Sequence, residues 1–86
     1  MSAEALARRA ARYHADLRML HADIVAMPGC AATLRNAGGK LYISVGMSPS
    51  LLDVVEARIW ASHPKAQRTS GSYGRNDIDV TWRVNP

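Results

Sequence analysis

NAGGKLYISVGMSPSLLDVVEARIW, residues 36–60, contains the change of period on which the fold depends. Asn36-Ala37-Gly38-Gly39 is a turn signal. Leu41, Ile43 and Val45 then alternate with Tyr42 and Ser44, as in a half-buried strand. At Ser48-Pro49 the period becomes helical. Ser48 suits an N-cap, Pro49 the first helical position, and Asp53 the positive end of the helix dipole. Leu51, Leu52, Val55 and Ile59 form an apolar face, with Val54 and Trp60 beside it, and His63-Pro64 stops the helix.

Towards the N-terminus, Cys30–Arg35 is the expected hairpin partner of Lys40–Gly46. Ahead of it, nothing from Ser2 to Met27 breaks a helix. Ser2 is a suitable cap. Leu6, Ala10, Tyr13, Leu17, Leu20, Ile24 and Met27 recur at alternating spacings of four and three, a heptad seam. Glu4–Arg8 and Arg12–Asp16 are opposite charges one turn apart. Pro28-Gly29 ends the element, so the expected long amphipathic helix occupies residues 1–28.

Towards the C-terminus, Lys65 to Asn76 is polar and rich in Gly and Ser. It reads as a loop, or as a loop with an irregular strand near Gln67–Tyr73. Ile78, Val80, Trp82 and Val84 then alternate with Asp77, Asp79, Thr81 and Arg83, the clearest strand in the chain. The expected fold class is α+β: a long N-terminal helix, a β-hairpin, a second helix and one or two C-terminal strands. Both helices lie on one face of a small, mainly antiparallel sheet. A parallel crossover from the Leu41 strand through the second helix to the Ile78 strand would make that sheet mixed, with three or four strands.

The 86 residues suit one domain, 1–86. At 48% apolar residues the chain is too hydrophobic to remain disordered. No segment approaches the roughly 20 apolar residues of a membrane span, and Arg8, Arg9 and Arg12 interrupt the place of a leader's apolar stretch. Cys30 is the only cysteine, so an intrachain disulfide is excluded and a reducing, cytoplasmic location is expected. The Arg- and Ala-rich composition suits a bacterial or phage genome. A net charge of +4 permits contact with nucleic acid or an acidic protein without requiring either.

The length of the first helix bears on function. About 25 residues span roughly 38 Å, whereas strands of five to seven residues span about 17–23 Å. The seam therefore extends beyond the sheet, which points to association, including a homodimer, or else to a helix that is bent, broken or laid diagonally across the sheet. The expected partner-binding residues are Leu6, Arg9, Ala10, Tyr13, His14 and Leu17. The second candidate surface is a basic loop of Arg58, Lys65, Arg68 and Arg75 with Tyr73 interleaved, suited to phosphates or to an acidic protein.

Other constellations are weaker. His14 and His21 are seven residues apart, about 10.5 Å along a helix, too far to share a metal. Asp77 and Asp79 on one strand face could hold Mg²⁺ for phosphodiester chemistry, but cross-strand ion pairing is the simpler role. Cys30 has no neighbouring base in sequence and reads as a small buried thiol. Gly38-Gly39-Lys40 lacks the spacing of a phosphate loop. No metal or cofactor is expected. The sequence thus suggests a small non-enzymatic interaction protein, an adaptor or phage-type inhibitor that binds a larger protein or nucleoprotein assembly through its long helix and basic loop. A nucleic-acid-binding module using Arg58–Arg75 is the alternative, and a small RNase-like hydrolase the third.

Overall fold

A computed structural model describes residues 2–84; for Leu6 and residues 9–14 it describes the backbone alone. The element order is α1 (Ala3–Val25), β1 (Ala31–Ala37), β2 (Lys40–Met47), a 3-10 turn (Pro49–Leu51), α2 (Leu52–Ser62), β3 (Gln67–Tyr73) and β4 (Ile78–Arg83). The class is α+β, as the periods predict.

Ser2 caps α1 by accepting from the Ala5 amide at 3.1 Å. The helix stops at Val25, short of the expected 28, because the residue before Pro28 is disfavoured in helical conformation. Tight turns close the end instead: the Met27 amide donates to Ile24 and that of Cys30 to Met27. The second helix also opens differently. Ser48 makes no capping bond, its hydroxyl meets that of Ser50, and Pro49–Leu51 form a 3-10 turn before α2 begins.

Strands β1 and β2 form a hairpin with Ala37 opposite Lys40. Gly38 and Gly39 both have positive φ, +59° and +78°, the combination a type I′ turn requires. The sheet order is β1-β2-β4-β3, and every pairing is antiparallel. The mixed sheet does not form. The polar stretch after α2 is a full strand, β3, and β4 returns to insert between β2 and β3. Since β2 and β3 both oppose β4, they run in the same direction and α2 bridges them.

Both helices cover one face of the sheet. Leu17, Leu20 and Ile24 of α1 join Val55 and Ile59 of α2, Ile43, Val45 and Met47 of β2, and Ile78, Val80 and Trp82 of β4 in one core. The strand period places the core residues of β2 and β4 on the helix side. Glu56 of α2 is buried in this core, 7% exposed. Its carboxylate accepts from Trp82 Nε1 at 2.9 Å and from Arg68 Nη2 at 2.7 Å, and Arg68 Nε donates to it as well. One side chain thus ties α2 to β3 and β4.

Candidate interaction surfaces

The seam of α1 divides in two. Leu17, 3% exposed, is the first described side chain of α1 that is buried, and Leu20 and Ile24 follow it into the core. Before it, Ser2, Ala3, Glu4, Ala7, Arg8, Ala15 and Asp16 are exposed. Residues 3–16 amount to about 21 Å of helix, and the molecule measures 50 Å along its longest axis against 24 and 18 Å across. Leu17 lies in the core, where α1 meets the sheet. Leu6, Arg9, Ala10, Tyr13 and His14 fall on the projecting half, with side chains outside those described. A groove of about 260 Å³ opens at the root of the projection, where Leu17 meets Leu34 and Leu41 between Arg18 and Arg35.

The basic loop is dispersed by the fold. Arg58 lies on α2 and pairs with Asp23 of α1, donating to Ser62 as well. Arg68 faces the helices and is held by Glu56. A bulge between Arg68 and Ser70 causes this. Without it Arg68 would share a face with Ser70 and Ser72; the extra residue turns it to the side of Gly71 and Tyr73. The Tyr73 ring is 61% exposed and closes over Gly71, where a Cβ would come within 2.7 Å of it. Lys65 and Arg75 sit at opposite ends of β3. The five residues form no single strip, since two of the four cations are held by carboxylates.

His21 is also spoken for: its Nε2 lies 2.9 Å from the Ala32 carbonyl, joining α1 to β1. Sequence spacing cannot show that bond, because it spans eleven residues and two elements. His63 is buried beside the Ser62 hydroxyl, and its burial holds the imidazole below its usual pKa.

At the far end of the sheet, an open cleft of about 500 Å³ brings Cys30, Asp77, Asp79 and Ser72 to one place. Burial pushes the Cys30 thiol up, away from the thiolate that nucleophilic attack needs. Both carboxylates are exposed. Among the described residues, no three His, Cys, Asp or Glu side chains are grouped to hold a metal ion, and no helix is long and apolar enough to cross a membrane.

The face of the sheet away from the helices carries a set of residues that sequence reading passed over. Register places Arg35, Tyr42, Arg83 and Gln67 in one cross-strand row. The next row is Thr33, Ser44, Thr81 and Ser70, and the last is Ala31, Gly46, Asp79 and Ser72. The Arg35 guanidinium sits over the Tyr42 ring, 5.0 Å from its centroid. Ser44 and Thr81 share a hydroxyl–hydroxyl bond of 2.7 Å. The sequence signal was present in the polar alternate positions of β2 and β4, but strand order was needed to join them.

No protein-family model matches the chain, and neither the curated proteins nor the solved structures contain a match to it.

Proposed function

We propose that this chain is a small non-enzymatic interaction protein, an adaptor or phage-type inhibitor, that docks on another protein through the projecting half of α1. One observation carries this: about 21 Å of helix extends past Leu17, yet the seam of Leu6, Ala10 and Tyr13 continues along it. A heptad seam has a partner to cover where it leaves its own core. A groove lined by Leu17, Leu34 and Leu41 opens at the root of the projection. The partner is a protein chain, either a second copy or a larger assembly. In a two-fold dimer each projecting helix would cover the groove of its mate.

Size-exclusion chromatography with light scattering tests this directly. A mass of about twice the 9.4 kDa chain is expected for the self-associated form. Leu6→Glu with Tyr13→Glu should return the monomer with an unchanged circular dichroism spectrum. A full-length chain that stays monomeric and retains no protein partner sinks the proposal.

A further inference from the structure

We infer that the open face of the sheet, at its hairpin end, binds the backbone and bases of a single-stranded nucleic acid. This surface lies on the sheet face away from the helices, and Arg35 alone borders both it and the groove at the root of α1.

The first observation is charge. Arg35 and Arg83 flank Tyr42 in one row, on strands either side of β2, about 9–10 Å apart at normal strand spacing. Lys40 lies on the same face one row nearer the hairpin turn. All three cations are exposed, and among the described residues none of them takes part in an ion pair, unlike Arg58 and Arg68. The sole carboxylate of this face among the described strand residues is Asp79, four residues from Arg83 on β4, or about 13 Å. The face therefore has a cationic pole at the hairpin end, suited to a chain of phosphates.

The second observation is the ring between the cations. Tyr42 is half-buried, with the exposed Arg35 guanidinium over its ring. Bases stack on such aromatic and guanidinium planes whatever their sequence. An acidic peptide would use the charges and leave this platform idle. The adjoining row of Thr33, Ser44 and Ser70 supplies hydroxyls for phosphate and sugar oxygens. Stacking on such a plane needs an unpaired, splayed base, so single strands fit this face better than a closed duplex.

Fluorescence anisotropy with short labelled oligothymidylate and oligouridylate is the test. Binding is expected at about 50 mM salt and should weaken as salt rises, with a log–log slope of about −2 for three single-strand phosphate contacts. Arg35→Gln with Arg83→Gln should weaken binding at least about tenfold, and Tyr42→Leu about tenfold through lost stacking. Arg58→Gln should leave binding unchanged, since Asp23 already holds that guanidinium. Thermal melts of each variant establish that it is folded. Absence of binding at low salt, or binding indifferent to Arg35, Tyr42 and Arg83, overturns the inference. So does equal competition by polyglutamate with no effect of Tyr42→Leu, which would assign the face to an acidic protein. Leu6→Glu with Tyr13→Glu should not alter oligonucleotide binding, so this inference and the docking role of α1 can fail separately.

Discussion

Glu56 is a buried carboxylate beside a core of apolar side chains that includes Trp82. Removing one member of a buried charged network leaves its partners without compensation. Glu56→Ala should cost about 3 kcal/mol, read from urea unfolding, because Trp82 Nε1 loses its acceptor inside the core. Arg68→Ala should cost a comparable amount, since it leaves the buried Glu56 carboxylate with Trp82 as its remaining donor. The same residues set the response to acid. Burial, with a smaller contribution from Arg58 and against the opposing pull of Asp16, holds His63 below its usual 6.5. The unfolded chain therefore takes up this proton at higher pH than the folded chain. The stability tied to His63 is complete above about 6.5 and is lost as pH falls from there towards the lower folded value. Hydrogen bonds from Arg68 hold the Glu56 carboxyl below its usual 4.5 despite burial, so its contribution is lost in turn as pH falls below that value. Thermal midpoints should decline from neutral pH into mild acid, and His63→Gln should flatten the first part of that decline. An unchanged slope in the variant would place the pH dependence elsewhere.

At the scale of elements, the hairpin and the inter-helix contact make contrasting cases. Gly39 holds a φ of +78° beside Gly38 at +59° in a two-residue turn. A Cβ at Gly39 would meet nothing within 4 Å, so the cost of substitution is conformational and not steric crowding by neighbours. Gly39→Ala should destabilise by about 1–2 kcal/mol in urea titration. The Asp23–Arg58 pair joins α1 to α2, but both side chains are well solvated. Asp23→Asn should cost less than about 1 kcal/mol and should lose even that effect in high salt. The bulge in β3 has the larger consequence, because it directs Arg68 to Glu56.

For the whole molecule, the core occupies one part of an elongated body 50 Å in length. A chain this small has a thin margin of stability, so any cover for the projecting half of α1 should register in the melting temperature. If a second copy supplies it, the thermal midpoint should rise with protein concentration, and Leu6→Glu with Tyr13→Glu should abolish that dependence. The cationic pole of the open sheet face predicts a different linkage: single-stranded oligonucleotide should raise the midpoint at low salt and cease to do so at high salt.

Local chemistry alone determined most of the elements. The alternation of Leu41–Val45 and Ile78–Val84, the seam of α1, the Ser2 cap and the paired glycines of the turn act through near neighbours, so their effects can be read along the chain. The extent of β3 could not be read this way, since Gln67–Tyr73 has no apolar alternation and becomes a strand by pairing with β4. Strand order, the wholly antiparallel sheet and the bulge depend on contacts between distant residues. Those contacts placed Leu17 in the core, held Arg58 and Arg68 on carboxylates, and aligned Arg35, Tyr42 and Arg83 in one row. The start and seam of α1 were legible from the sequence; its end at Val25 and the point at which it leaves its own core were decided by the tertiary structure.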